Sequence, residues 1–270
     1  MLSPATTAFR VSHAADLAAL SRISYLAPHL AEDASRALGY TEVRFVQSAE
    51  HDTQVLVAAD AGNLVVAFRG TSAFADLVTD ACACMAAFPA GKVHRGFRAA
   101  LDAVAQPLRD ACADLTAGRA LWLTGHSLGG SLALLAAFEA VFELAVPIHG
   151  VYVFGAARPG NGAFADAYQA KLAAQTWCFV RDDDPVPRLL PRAAGYRDAA
   201  PIVRLEHGEI IQDPASWLLR LSEALDPRVA LADGGPIGDH AINRYCADLS
   251  ALAMLANKEE TTRCQLSLTP

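Results

Sequence analysis

The sequence predicts an α/β chain with a mostly parallel central sheet and helices on both of its faces. Two observations carry that prediction. From residue 120 onward, short apolar runs alternate with segments of helical periodicity. One strand passes into one helix through a turn flanked by glycines, Gly125-His126-Ser127-Leu128-Gly129. Composition agrees: 53% of the 270 residues are hydrophobic and 19% are charged, so the chain is globular in character. A chain this long buries roughly 70–75% of its unfolded surface.

The elements follow in order. Residues 13–38 carry helical spacing (Leu17, Leu20, Ile23, Leu26, Leu30) that Gly39 ends. Three strand-like runs come next, at 43–47, 54–58 and 64–68, with Gly62-Asn63 as the turn before the third. A helix is predicted over 98–117, closed by Gly118. The alternating region then reads as strand 120–124, helix 127–142, strand 150–154, helix 164–174 and strand 176–180. The last third is mixed: a strand near 202–205, a helix near 216–225 and a helix over about 241–256. The tail, 258–270, is polar and is expected to fray. Without internal repeats or a low-complexity linker, residues 1–270 read as a single domain.

Charge and cysteines exclude several function classes. Lys and Arg total 22 against 29 Asp and Glu, a formal charge of −7, which argues against a nucleic-acid partner. None of the six cysteines forms a C-x-x-C pair, so no metal is expected. No apolar stretch is long enough for an integral membrane segment. The first ten residues lack a basic region followed by an apolar one. The expectation is therefore a cytoplasmic location.

Gly125–Gly129 is the motif that carries chemistry. A serine on a tight turn between a strand and a helix is exposed for attack, and it needs neighbours without side chains. Gly125 and Gly129 supply them, and Gly130 lets the helix approach the strand. The positive end of the helix dipole falls where oxyanion charge would develop. Serine alone is a poor nucleophile and needs a base oriented by an acid. The acid belongs in a loop after a later strand, where Asp182, Asp183 and Asp184 stand. Only His207 and His240 follow. His240 is preferred because it sits at the mouth of a loop entering a helix, whereas His207 lies in a charged, strand-like stretch.

These residues resemble the class 3 lipases, the fungal-type triacylglycerol lipase family. The matching stretches are Val66-Ala67-Phe68-Arg69-Gly70-Thr71, Val93-His94-Arg95-Gly96-Phe97, Gly125 to Gly130, Val153 to Gly160, Asp184-Pro185-Val186-Pro187 and Asp239-His240. The resemblance implies an α/β-hydrolase fold and a serine hydrolase acting on lipid esters. It selects Asp184 as the triad acid, beside Ser127 and His240. It implies an oxyanion hole made by Leu128 and Thr71, with Asp80 holding the Thr71 hydroxyl. No cofactor is implied. It places a lid at about 72–93, where Phe74, Leu77, Ala81, Met85 and Phe88 recur as on one helical face. Lipid or ester substrates and transient contact with a lipid interface are the partners implied. A phospholipase, a short-chain carboxylesterase and a catalytically silent binding module are the competing readings. His94 and His126 are expected to be structural, and Arg158 and Arg188 to brace loops.

Overall fold

The computed structural model describes residues 2–71, 84–181, 184–206, 208–211 and 240–266. The chain opens with α1 (Val11–Ile23) and α2 (Pro28–Ala37). The single helix predicted over 13–38 is thus two. Pro28 is the reason: it keeps Ala27 extended, at ψ 146, and begins a new helix as its first residue. A meander follows: β1 (Glu42–Ser48), β2 (Thr53–Ala59) and β3 (Asn63–Phe68), each antiparallel to the next.

β4 (Met85–Phe88) and β5 (Gly91–His94) form a hairpin. The helical stripe expected across 72–93 therefore does not include Met85 and Phe88. Pro89-Ala90-Gly91 turns the chain back, with Gly91 at φ 101, and that turn is incompatible with a continuing helix. The rest of the expected lid, 72–83, lies outside the described residues, as do Asp80, Asp182, Asp183, His207, Asp239 and the helix expected at 216–225.

The alternating half then runs α3 (Arg95–Cys112), β6 (Ala120–His126), α4 (Leu128–Phe142), β7 (Gly150–Phe154), β8 (Gly160–Asn161), α5 (Gly162–Leu172) and β9 (Thr176–Arg181). β10 (Tyr196–Arg197), β11 (Ile202–Glu206), β12 (Glu209–Ile211) and α6 (Ile242–Leu266) complete it. Residues 258–266, expected to fray, continue α6.

Among the described residues, eight strands form the main sheet in the order β1-β2-β3-β6-β7-β9-β11-β12. Pairing is parallel from β3 to β11 and antiparallel at both edges. A smaller sheet has the order β10-β8-β5-β4. Alternation along each strand sends side chains to two separate cores. On one face Val55, Val57, Phe68, Leu123 and Val153 pack with Leu132, Phe138 and Phe164. On the other, Leu56, Ala67, Trp122, Tyr152 and Phe179 pack with Leu17 and Leu20 of α1 and Tyr245 and Leu249 of α6. The sheet is thus covered by helices on both sides, which a parallel arrangement requires.

Two buried histidines belong to this framework. His13 stands edge-on to Trp122 at 5.1 Å, and its Nε2 accepts the Ser3 N–H at 3.2 Å. His94 caps α3, its Nδ1 accepting the Phe97 N–H at 3.4 Å. Burial, reinforced by the charge of Arg10 for His13 and of Arg95 for His94, lowers each pKa to about 4. Both rings stay neutral in the fold, while the unfolded chain protonates them near 6.5. The stability tied to them is complete above that value and is lost as pH falls toward 4. Each ring accounts for up to ~1.4 kcal/mol per pH unit. Denaturant unfolding at pH 7.5, 5.5 and 4.5 should show this decline. A midpoint that does not move across the series would contradict it.

Candidate active site

The carboxyl ends of the parallel strands hold the candidate residues. β6 ends at His126, and Ser127 stands between it and α4 at φ 59 and ψ −129. A non-glycine residue in that region carries a cost of order 1–3 kcal/mol and persists only where its surroundings enforce it. Here the Ser127 N–H donates to the Phe154 carbonyl at 2.9 Å, and its own carbonyl accepts from Gly130 and Ser131. The flanking glycines permit the crossing. A Cβ at Gly129 would stand 2.1 Å from the Phe68 carbonyl oxygen, and one at Gly125 would stand 2.3 Å from the Gly129 backbone. The Ser127 hydroxyl is buried and has no hydrogen-bond partner among the described residues.

Asp184 follows β9 and has no exposed surface. Its carboxylate receives His240 Nδ1 at 3.1 and 3.0 Å on its two oxygens, the Tyr245 hydroxyl at 2.6 Å and the Val186 N–H at 2.9 Å. Burial pushes this carboxyl up. The His240 hydrogen bond and charge, with the Tyr245 hydroxyl and the Val186 N–H, outweigh burial and hold it below the ordinary carboxylate range. The Nδ1–H tautomer of His240 is assigned from this acceptor. Burial and the Asp184 charge raise the Tyr245 phenol well above its ordinary value, so it stays a donor.

The expected partners Asp184 and His240 are thus in contact, and both lie beside the elbow. Leu128 is the first residue of α4, where backbone N–H groups have no intrahelical acceptor. Thr71 is half-buried and follows Gly70, whose position is so close that a Cβ there would stand 3.1 Å from the Ser127 Cβ. His126 has the structural role expected of it. Its Nδ1 meets the Tyr25 hydroxyl at 2.8 Å and its Nε2 the His240 carbonyl at 2.6 Å. Burial, with the neighbouring His240 charge, lowers its pKa to about 3. Arg158 braces its loop through Asp198 at 2.8 Å and the Leu190 carbonyl.

Sequence reasoning missed Tyr25, Tyr245 and the partner of Arg181. Arg181 pairs with Asp248 of α6 at 2.7 Å, and its N–H donates to the Tyr245 hydroxyl at 3.0 Å. Tyr245 could have been noticed, since it lies five residues after His240 on the apolar face of a helix. Tyr25 carries no such signal. Among the described residues no cluster of His, Cys, Asp or Glu could hold a metal ion.

Gly155, at the end of β7, sits at φ 56 behind the pair. A Cβ there would stand 2.6 Å from Asp184 Oδ2 and 2.9 Å from His240 Nδ1. Gly155→Ala should cost about 1–2 kcal/mol through left-handed strain alone and should also displace the pair. Loss of the expected ester-hydrolysing activity larger than the loss of folded protein, followed by circular dichroism and activity together, checks this. Unchanged turnover would show that the site tolerates the added methyl.

The family described as Lipase (class 3) matches residues 65–193. The chain is similar to the secreted mono- and diacylglycerol lipase 1 of Fusarium solani, 31% identical over 149 residues, covering 54% of this chain and 43% of that one. It is 42% identical over 74 residues to the secreted mono- and diacylglycerol lipase LIP4 of Malassezia restricta, covering 27% of this chain and 25% of that one. The matches therefore span less than half the length of these relatives. A Rhizomucor miehei lipase propeptide complex has a similar fold, with a TM-score of 0.67 at 22% identity, over 75% of this chain and 70% of that one. The expected cytoplasmic location is corrected by these comparisons, because the matching Fusarium and Malassezia lipases are named as secreted. The composition of the first ten residues was too narrow a basis for assigning a compartment. Residues 65–193, which hold both the elbow serine and the buried aspartate, are similar to the class 3 lipases, and the chain has the α/β-hydrolase fold.

Proposed function

We propose that this chain hydrolyses carboxylic ester bonds of lipids through a Ser127–His240–Asp184 triad. One observation carries the reading: a fully buried, charged Asp184 holds the His240 ring beside a strained elbow whose Ser127 hydroxyl has no hydrogen-bond partner among the described residues. The match of residues 65–193 to the model of the class 3 lipases supports it. The serine hydroxyl is not hydrogen-bonded to the imidazole. Such bonds tighten when substrate is bound.

Ser127 Oγ attacks the ester carbonyl carbon while its proton passes to His240 Nε2. The carbonyl oxygen becomes an oxyanion, and the backbone N–H groups of Leu128 and Thr71 receive it. Asp80, outside the described residues, is the proposed support for the Thr71 hydroxyl. Asp184 keeps Nδ1 protonated and stabilises the imidazolium. His240 then gives its proton to the departing alcohol oxygen as the C–O bond breaks. Water, deprotonated by the same imidazole, then bonds to the acyl carbon, the bond from that carbon to Ser127 Oγ breaks to release the acid, and His240 returns the proton to Ser127 Oγ. All of these steps use the chain's own residues.

The substrate class is acylglycerols. Mono- and diacylglycerols are the first to assay, because two relatives carry them in their names. Acylglycerols with long chains reside in lipid phases. No described helix is long and apolar enough to cross a membrane, and transient contact with a lipid surface is the proposed route to such a substrate.

Ser127→Ala should lower turnover of a monoacylglycerol by around 10⁶, and a fluorophosphonate should label the native chain but not this variant. Near-native turnover in Ser127→Ala would refute the assignment. Faster cleavage of a phospholipid or a short-chain chromogenic ester than of any acylglycerol would replace the substrate class while leaving the triad in place.

A further inference from the structure

His126 precedes the proposed nucleophile, is nearly fully buried at 5% exposure, and takes no part in the proton transfers described above. Both of its ring nitrogens are occupied. Nε2 lies 2.6 Å from the backbone carbonyl of His240. A carbonyl only accepts, so Nε2 carries the proton and donates. The neutral ring then presents Nδ1 as an acceptor, and the Tyr25 hydroxyl donates to it at 2.8 Å. Tyr25 is held in turn. It lies in the loop that ends α1, the Arg69 guanidinium stands 5.8 Å over its ring, and the Gly70 backbone packs so tightly that a Cβ there would be 2.2 Å from its hydroxyl. The His126 and His240 rings also face each other at 4.4 Å, tilted by 30°.

The base is therefore gripped at two places. Asp184 holds its ring through Nδ1, and His126 holds its main chain through the carbonyl. The second grip comes from the residue covalently bonded to Ser127. Any shift of the elbow carries the anchor of the base with it.

We infer that His126 and Tyr25 are positioning residues which lock the main chain of His240 in register with Ser127, through the relay Tyr25 O–H to His126 Nδ1 and His126 Nε2–H to the His240 carbonyl. This rests on the triad reading. Burial lowers the His126 pKa to about 3, so the ring stays neutral and the direction of the relay is the same across the working range of pH. Burial likewise pushes the Tyr25 phenol up to about 12 against the Gly70 N–H and Arg69, so it remains a donor.

Three variants test the relay, each with fluorophosphonate labelling, steady-state kinetics and the downfield proton signal of His240 Nδ1–H. Tyr25→Phe removes one hydroxyl and should lower kcat about tenfold, with KM within about twofold, since neither residue binds substrate. His126→Leu should lower kcat about 100-fold, a loss of the size that misplacing a reacting group by 1 Å can cause. It should also broaden the downfield signal. His126→Gln keeps an N–H donor in reach of the His240 carbonyl and should recover about tenfold of that loss. Folded Tyr25→Phe and His126→Gln proteins that label, turn over and resonate like the native chain would overturn the inference. So would a fall in apparent kcat no larger than the measured loss of folded protein. Should His126→Leu fail to fold, the other two variants decide. Failure of the native chain itself to label would instead refute the triad reading.

Discussion

A carboxylate without any exposed surface is costly to keep ionised, and most of the architecture around Asp184 answers that cost. Desolvation alone would favour its neutral form. Three donors oppose it, two from around the start of α6 and one from beside Asp184 itself: His240 Nδ1, the Tyr245 hydroxyl and the Val186 N–H. Tyr245 reaches it only because α6 packs across the sheet face that also buries Trp122 and Phe179. Arg181 ties the end of β9 to that helix by an ion pair with Asp248. The long helix that closes the sheet is thus also the element that supplies a second proton donor to the acid.

Parallel pairing explains why these groups meet. Neighbouring strands β6, β7 and β9 end at the same edge, so Ser127, Gly155 and Asp184 arrive side by side from segments far apart in sequence. Each is placed by a special backbone feature. Ser127 sits at φ 59 and Gly155 at φ 56, while the Asp184 N–H donates to the Arg181 carbonyl at 2.8 Å. Glycine is needed at 155 for space as much as for conformation, since a methyl there would collide with the acid and the base together.

Much of this was legible in the sequence because it is local. The elbow is written in five consecutive residues, and β6, β7, β9 and α4 are strongly periodic segments whose observed limits lie within a residue or two of those expected. The acidic loop after β9 was legible as well, although the residues alone left its three aspartates open and only the resemblance to the class 3 lipases singled out Asp184. The helix break at Pro28 was available locally and was overridden by a leucine pattern that runs through it. The hairpin Met85–Phe88 and Gly91–His94 was hidden for the opposite reason: four-residue strands of small residues give too little alternation to outweigh a three- and four-residue spacing of apolar side chains. Tyr25 was invisible because its role depends on His126, about a hundred residues away, with no spacing rule connecting them.

The two histidines beside the elbow show how environment separates identical side chains into different tasks. His240 has its Nδ1 on a buried anion, which prepares its other nitrogen for proton transfer under the proposed mechanism. His126, 4.4 Å away, faces a phenol and a carbonyl, both neutral, and is kept uncharged by burial and by the adjacent His240 charge. A second positive ring at that distance would repel the imidazolium that the reaction forms. A neutral His126 donates to the His240 carbonyl without that repulsion, so the same low dielectric that strengthens the Asp184–His240 contact also keeps the anchoring ring from competing with it.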